Sequence, residues 1–507
     1  MSQETLSDDE KIVHVLNRLT PGATSDLVNE VRKEGLKGWF ARQLKGDARE
    51  PELLAAALRN LDSLGRDCKE IHDTYDKPIP DGTAEPERRK LEALKIVPAR
   101  ELCTAILLRA LYGANPVLEM SCDFFRNHFS VSIDKDEVRF LVTDWDRRVI
   151  RRHALGNFGD LLKATAHHAA MLFYLDNHLS RRPPTKSELQ MIESEARRTT
   201  KSKERGREAV EIARQRGLNE NYARELLELH TLGVDRHYTQ GDVLMVARCL
   251  TGWTICRRPE QWGDFEFNVD VHSTENKTFL GAEVKGKRDP SEGEWVLEVL
   301  SRHKGTALFV AAKLCRWLVS DDPDEKMVMR VAKVFNQSVG DLPKTLTAIV
   351  EDPDFFKRGH FRAKYKRPWE FVVSALRATK AEVTSFDGIG AALEAMNEPL
   401  YRCADPTGYY DQAEAWRDPG SMAIRWAFCS DLVAGRIAGA KIPASFYADV
   451  PADAAGMKTE LARRILPVAG IGTQTSQNLD ALVSRARKPS GPMIVGVLLG
   501  SPDFQKQ

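Results

Sequence analysis

The chain has 507 residues, more than one hydrophobic core normally covers, so we expect two or three packed lobes. Hydrophobic residues make up 42% and charged residues 29% of the sequence, a balance that excludes a chain disordered throughout. The 74 Lys and Arg residues offset 73 Asp and Glu residues to a net charge of +1, which removes any global attraction to nucleic acid or to an anionic membrane.

The start of the sequence and its cysteines indicate a reduced compartment. Residues 1–11 are polar and acidic, unlike the basic and then apolar start of a secretory signal. Apolar runs such as 493–499 are far shorter than the roughly 20 residues that span a bilayer. The eight cysteines are scattered and form no Cys-x-x-Cys pair. We therefore expect a soluble, cytoplasmic protein with free thiols and with no membrane or nucleic-acid partner, of open oligomeric state.

Helical periodicity dominates the first third of the chain. Residues 12–44 predict two helices, and residues 76–86, rich in proline and aspartate, predict a surface loop. Residues 98–179 are helical again and lack the alternation that is typical of strands. These patterns predict an N-terminal helical lobe over residues 1–75 and a central helical segment over residues 88–180.

A charged stretch and a small β element interrupt the helices. Residues 181–217 hold eleven Lys or Arg and six Asp or Glu with few apolar side chains, which predicts an exposed insertion. A basic arm for an anionic partner is the alternative. Residues 218–300 combine a helix with a short alternating strand after residue 260, and residues 301–507 predict a C-terminal helical lobe. The predicted fold class is mainly α, a multi-helix globular protein with a small β element.

The segment 218–233 predicts a helix that concentrates groups suited to acid–base chemistry, capped by Asn219 and stopped by Gly233. Glu225 lies at the edge of its polar arc, where partial burial raises a carboxyl pKa as a general acid requires. The alternative is a surface face whose ion pairs contribute a few tenths of a kcal/mol each, about the usual size. At about 100° per residue, one face carries Asn221, Arg224, Glu225 and Glu228.

Two other polar pairs stand in apolar surroundings. Asn127 and His128 are enclosed by phenylalanines, an environment that tunes a histidine or locks a core hydrogen bond. Asp176 and Asn177 follow a long apolar run, where they meet the other polar groups or cap a buried helix. His230 lies within the apolar arc of its own helix, a position more typical of a core histidine than of a catalyst.

These motifs form a pattern that extends along nearly the whole chain. It resembles the family catalogued as domain of unknown function 1800, and Asn219–Gly233 followed by Thr251–Trp253 is its most specific part. The resemblance implies the fold more than the function, since the family carries no assigned general activity. The further runs that carry the resemblance are His14–Thr20, Arg148–Gly156, Tyr238–Val243, Arg248, His272, Lys277–Gly281, Arg362–Phe371 and Leu499–Gln505.

The chain departs from the family pattern at two points. Family members often look exported, whereas this sequence shows no export signal. The usual His-Asp pair of the family is His272-Ser273 here, which puts in doubt any acid or metal-binding role of that aspartate.

The motifs favour an enzyme, because carboxylates, amides, histidines and aromatic rings recur together at helix edges. The specific hypothesis is a glycan-active hydrolase. In this hypothesis Glu225 is the general acid and Glu228 or Asp176 is the base or nucleophile. His128 is a further catalytic candidate. The expected substrate-binding residues are Asn127, Asn221, Arg224, Tyr238, Trp253 and His272, and the rings expected to stack on a sugar are Tyr222, Tyr238, Trp253 and Trp262.

The sequence leaves two alternatives open. In the first, the polar residues form a buried network in a non-enzymatic helical scaffold or partner-binding protein. In the weaker second, His128, Asp176 and His272 hold a metal that assists hydrolysis, although the chain has no His-Glu-x-x-His motif. Phosphate-loop, dinucleotide and Gly-x-Ser-x-Gly motifs are absent as well. We therefore expect no cofactor and no bound metal, and a glycan as substrate.

Overall fold

The computed structural model describes residues 5–46, 48–215, 217–468, 470–486 and 488–507. In this part of the chain there are 25 α-helices and six short strands, so the predicted mainly α fold is confirmed. The helices before residue 250 are α1 (Asp8–Leu19), α2 (Ser25–Glu34), α3 (Leu36–Gln43), α4 (Glu52–Arg59), α5 (Cys68–Tyr75), α6 (Glu85–Tyr112), α7 (Pro116–His128), α8 (Val138–Trp145), α9 (Phe158–His167), α10 (Ala169–Tyr174), α11 (Lys186–Thr200), α12 (Lys203–Gln215), α13 (Glu220–Glu228) and α14 (Gln240–Cys249).

The C-terminal half is equally helical. Its helices are α15 (Ser291–Arg302), α16 (Lys304–Leu318), α17 (Glu325–Gln337), α18 (Leu342–Val350), α19 (Pro368–Ala378), α20 (Asp387–Ala395), α21 (Pro419–Val433), α22 (Ala454–Ile465), α23 (Thr473–Arg485), α24 (Gly491–Leu499) and α25 (Pro502–Gln505). Short 3-10 turns cover Asp62–Gly65, Asn177–Leu179, Val269–Val271, Arg358–His360, Ala413–Trp416 and Ala444–Tyr447, and a π-helix covers Asp146–Arg151.

The strands form three antiparallel pairs in the described residues. In the first pair Trp253 lies opposite Phe267, so the strand predicted near residue 265 is present and has an earlier partner. The third pair joins segments that are almost 60 residues apart in the chain, which local periodicity cannot indicate. The strands are β1 (Trp253–Ile255), β2 (Phe265–Phe267), β3 (Lys277–Phe279), β4 (Ala282–Val284), β5 (Glu382–Val383) and β6 (Ala440–Lys441).

The N-terminal segment has three helices where the sequence predicted two. Gly35 lies between α2 and α3 with φ +84°, a left-handed conformation that breaks the second predicted helix. The predicted loop at 76–86 is present but shorter, because α6 already begins at Glu85 with a proline in its first turn.

Buried apolar side chains of the described residues form one continuous cluster from Ile12 on α1 to Phe504 on α25. The residues between 181 and 217 whose side chains the structure describes contribute no member to it. There α11 and α12 follow each other with two residues between them, and α11 has no buried residue. The cluster fixes the helices that carry the polar groups described below. No described helix has the length and apolar content needed to cross a bilayer.

Candidate functional site

The local sequence of α13 positions its polar face towards solvent. The Asn219 side chain accepts a hydrogen bond from Tyr222 N (3.0 Å), as the predicted N-cap, and donates to Leu175 O (2.7 Å). The helix ends at Glu228, five residues before the predicted stop at Gly233. The reason lies in the last turn, because His230 N donates to Glu225 O and the Thr231 hydroxyl occupies Leu226 O. The buried residues of α13 are Tyr222, Ala223, Leu226 and Leu227.

Two hydrogen-bonded chains cross the exposed face of α13. In the first, Arg224 Nη2 donates to Gln240 Oε1 (2.7 Å), and Gln240 Nε2 donates to Glu220 Oε2 (3.0 Å). In the second, Glu228 Oε1 accepts from the Tyr238 hydroxyl (2.7 Å) and from Arg224 Nη1 (3.4 Å). The structure therefore brings Arg224, Glu228 and Tyr238 together, and the hydrogen bond from Tyr238 to Glu228 is a contact that the sequence did not predict.

Glu225 differs from its neighbours because its half-buried carboxyl has no hydrogen-bond or ion-pair partner among the described residues. Burial raises the pKa of Glu225, the nearby charge of Glu228 raises it further, and Arg224 opposes both. Burial, together with neighbouring charges that include Asp405 and Glu225, also raises the pKa of Tyr174 to about 12. Tyr174 therefore lies within electrostatic range of both Glu225 and Asp405, and the sequence singled out neither Tyr174 nor Asp405.

Two other predicted residues lie outside these hydrogen-bonded chains. Asp176 adopts φ +58° and pairs with Lys135 (2.9 Å), and no described contact joins it to Glu225 or Glu228. Asn221 is exposed on α13 without a hydrogen-bond partner in the described structure. The structure therefore gives Asn221 access to solvent and gives Asp176 a cationic partner of its own.

Asn127 and His128 end α7 in contact with backbone groups. The Asn127 side chain donates to Tyr409 O (2.8 Å) and accepts from Tyr409 N (2.6 Å). His128 is 2% exposed, and its Nε2 donates to His230 O (3.2 Å). Burial, with the charge of Lys313, holds the pKa of His128 well below its ordinary value. His128 is thus a neutral core histidine in this conformation rather than a solvent-facing catalyst.

Three of the four rings expected to stack on a sugar are buried. Trp253 and Tyr222 are 0% exposed and Trp262 is 7% exposed, so these rings offer no open face to a ligand. Trp253 instead packs against His167 and Phe265, with ring centroids 4.6 and 5.1 Å away. Only a partly exposed Tyr238 remains from that set in the described structure. Trp253 is covered by His167 of α9 and Phe265 of β2, and these contacts between separate segments leave no local pattern in the sequence.

His272 was expected to bind substrate, but it lies in a buried charged cluster. Its Nδ1 donates to Thr251 O (2.6 Å), and its Nε2 lies 3.5 Å from Glu292 Oε1. Lys277 Nζ lies 2.5 Å from Glu292 Oε2, and the side chains of His272, Lys277 and Glu292 are all 0% exposed. Burial favours a higher pKa for Glu292, but the neighbouring His272 and Lys277 outweigh it and lower that pKa. The carboxylate beside His272 therefore comes from α15, and not from position 273, which is Ser273.

A second buried charged cluster surrounds Arg367, which is 3% exposed and which the sequence did not single out beyond its place in the run Arg362–Phe371. Its guanidinium binds Glu398 Oε1 (2.6 Å) and the Asp123 carboxylate. Burial raises the pKa of Glu398 to about 7, although Arg367 opposes the change. A small cavity of about 40 Å³ adjoins these groups and Asn127. The Glu398 oxygens are occupied by Arg367 and by Trp369 N, which favours a structural role.

Among the described residues, one group of His, Cys, Asp or Glu side chains has the spacing of a metal site, formed by Cys68, Asp144 and His168. His168 Nδ1 accepts from Ala170 N (3.1 Å), so the proton of the neutral ring lies on Nε2, which faces Asp144 Oδ2 at 3.4 Å. A protonated nitrogen has no lone pair for a metal. Asp144 is also paired with Arg148 (3.0 Å). This group therefore fits a cation poorly, and it contains none of His128, Asp176 and His272.

The fold and the exposed face of α13 define a mainly α-helical protein with two glutamates one turn apart on an anchored helix. The sequence matches the family model described as "Protein of unknown function (DUF1800)" over residues 14–506, and the chain belongs to this family. The resemblance inferred from the motifs is thereby confirmed at nearly full length. No curated protein and no solved structure matches the chain.

Proposed function

We propose that this protein is a glycan-active hydrolase that uses carboxylate acid–base chemistry, with Glu225 as the general acid. The observation that carries the proposal is the unequal environment of Glu225 and Glu228. Among the described residues Glu225 has no partner, and its pKa is raised by burial, whereas the Glu228 carboxylate is bound by Tyr238 and Arg224. Two carboxyl groups whose surroundings favour different protonation states are the pair that acid–base hydrolysis requires.

In the proposed reaction the proton of Glu225 passes to the oxygen of the leaving group as the bond from that oxygen to the sugar carbon breaks. Glu228 either takes a proton from the attacking water or forms the new bond to the carbon itself, and water then releases the product. Tyr238 and Arg224 hold the Glu228 carboxylate in place by hydrogen bonds. Asp176 remains the second candidate for the role of Glu228.

The exposed side chains beside Glu225 support a substrate rich in hydroxyl groups. Asn221 is an exposed amide, and Gln240 and Arg224 are accessible beside it, so the face offers both donors and acceptors. The burial of Trp253, Tyr222 and Trp262 leaves Tyr238 as the one proposed stacking ring that is partly exposed in the described structure. We therefore expect polar contacts with hydroxyl groups to contribute more to glycan binding than ring stacking.

The test compares Glu225→Gln with Glu220→Gln on a panel of glycans. Both changes replace a carboxylate by an amide on α13, but Glu220 is paired with Gln240 and has no proposed proton to transfer. Wild type and Glu220→Gln should cleave the same glycan, and Glu225→Gln should lose roughly two orders of magnitude in kcat or more. The basic limb of the rate profile should also disappear in Glu225→Gln. Full turnover by Glu225→Gln would refute the proposed role of Glu225 as the general acid. If wild type cleaves none of the glycans, the proposal that the substrate is a glycan is refuted.

A non-enzymatic scaffold is the second candidate, because several polar residues of the signature satisfy buried backbone groups. Asn177 Nδ2 donates to Trp253 O (3.1 Å), and Thr251 Oγ1 donates to Arg248 O (2.7 Å). A scaffold predicts that Glu225→Gln and Glu220→Gln change neither folding nor any turnover. It also predicts that the polar residues with a measurable effect are the buried ones.

A further inference from the structure

The C-terminal helices form an open apolar groove away from the residues of the proposed acid–base reaction. Its walls come from α21, α23 and α24, and its volume is about 920 Å³. Trp426 lines it with 55% of its surface exposed, and the indole Nε1 donates to Gly500 O (3.0 Å). This hydrogen bond holds the exposed indole ring in one orientation beside the groove. A rigid aromatic ring in that position is a typical anchor for an apolar ligand.

One face of α24 is left uncovered by the rest of the described chain. Its sequence has no polar side chain, and a helix that is apolar all round is normally buried all round. Met493, however, is 38% exposed and lines the groove together with Val497. The uncovered face is therefore apolar surface that a ligand removes from water on binding. The residues of α24 that the core covers are Ile494, Val495, Leu498 and Leu499.

The charge at the groove is positive. Arg485, the last residue of α23, is the one charged side chain among the described lining residues, and it has no ion pair or hydrogen bond. The acids on the two neighbouring helices are already paired, Asp431 with Arg436 (2.5 Å) and Asp480 with Lys458 (2.7 Å). An apolar ligand with one anionic group therefore complements the groove in both shape and charge.

The size of the groove favours a small molecule over a protein. Fifteen residues line it, whereas one side of a stable protein interface has roughly 20–30. Its volume lies within the roughly 300–1,000 Å³ of small-molecule sites. We propose that the groove binds a free long-chain carboxylate, with the alkyl chain along α24 against Trp426 and the carboxylate at Arg485. This site is independent of the proposed acid–base function.

The experiment measures binding of decanoate, below its micelle concentration, by calorimetry and by tryptophan fluorescence. Wild type should bind one decanoate per chain, and Trp426→Phe should remove the fluorescence change. Gly496→Leu should lose about tenfold in affinity or more, because the new side chain fills the groove. A Cβ at Gly496 meets Val433 Cγ2 at 3.5 Å, an ordinary contact, so the helix keeps its place. Ala481→Leu blocks the opposite wall and provides an independent variant.

The charge is tested with 1-decanol, which has the same chain and no carboxylate. Arg485→Gln should weaken decanoate binding by about three- to fivefold and leave decanol binding unchanged. Arg463→Gln, an exposed arginine on α22 outside the groove, and Glu225→Gln should bind decanoate as wild type does.

Three results would overturn the proposal. The first is absence of decanoate binding, or equal binding by wild type, Gly496→Leu and Ala481→Leu. The second is a dimer in sedimentation that Gly496→Leu converts to a monomer, which assigns the groove to a second copy of the chain. The third is co-sedimentation with anionic phospholipid vesicles that Gly496→Leu abolishes, which assigns it to a membrane surface.

Discussion

Replacing Glu292 by Gln should cost far more stability than its position near a small β element suggests. The change keeps the size of the side chain but removes the charge that faces Lys277 Nζ at 2.5 Å. Both side chains are 0% exposed, so the lysine is left as a buried charge without its counterion. Breaking such a pair typically costs about 3–5 kcal/mol. Since a folded domain is stable by roughly 5–15 kcal/mol, this loss is a large fraction of the total.

The control for this change is Glu298→Gln on the same helix. Glu298 pairs with Arg302 at 3.2 Å, but the two side chains are 61% and 63% exposed. An exposed pair contributes about 0–1 kcal/mol, so this variant should unfold almost as wild type does. The double variant Lys277→Met, Glu292→Gln should lose less stability than the sum of its two single variants, since neither buried charge then lacks a partner.

Urea unfolding followed by circular dichroism measures all four variants, with the midpoint shift multiplied by the slope of the transition. The pH dependence adds a second signature. The folded pKa of Glu292 is lowered, so its stabilisation is present above its ordinary pKa and is lost as pH falls through the folded pKa. Wild type should therefore lose this contribution in acid, and Glu292→Gln should not. Equal unfolding by Glu292→Gln and Glu298→Gln at pH 7 would refute the structural role assigned to the buried cluster.

Other parts of the fold give three further expectations. Because burial raises the pKa of Glu398 from 4.5 to about 7, the unfolding free energy should fall as pH rises across that interval, and Glu398→Gln should flatten the slope measured in urea. Trypsin should cut first between α11 and α12, at Lys201, and resistance there under conditions that cut elsewhere would count against an exposed insertion. Dialysed protein should carry no stoichiometric transition metal, because His168 Nδ1 already accepts from Ala170 N and Asp144 is paired with Arg148; elemental analysis that finds about one zinc per chain would contradict this.

Local rules predicted those features of the fold that depend on neighbours in sequence. Asn219 caps α13 because its side chain and Tyr222 N are three residues apart, and the polar face of that helix follows from its period. Gly35 was missed because an isolated glycine does not by itself indicate a helix break. The end of α13 was missed because the Thr231 hydroxyl competes for a carbonyl of the last turn.

The candidate site was predicted less completely, since burial depends on packing between distant segments. The shared face of Arg224 and Glu228 was predictable because they lie four residues apart on one helix, whereas the hydrogen bond from Tyr238 to Glu228 was not predicted. Trp253 and His272 have side chains of the kind found in substrate-binding sites, but the folded chain buries both of them almost completely. Their partners, such as Glu292, come from another helix and leave no local pattern in the sequence.

The buried and the exposed polar residues of the family signature have different roles, and only the exposed ones separate an enzyme from a scaffold. The Asn219 side chain joins the start of α13 to Leu175 O by a hydrogen bond. The Asn177 side chain, in the 3-10 turn Asn177–Leu179, donates to Leu250 O and to Trp253 O. An enzyme needs these contacts, because a catalytic side chain must be held on a rigid element. A scaffold needs them equally, so loss of activity after their replacement carries no information about chemistry. The Glu225 side chain makes no hydrogen bond to these buried groups and has no hydrogen-bond or ion-pair partner among the described residues. Variants on the outer face of α13 therefore distinguish the proposed enzyme from a scaffold, which replacements of the buried residues cannot do.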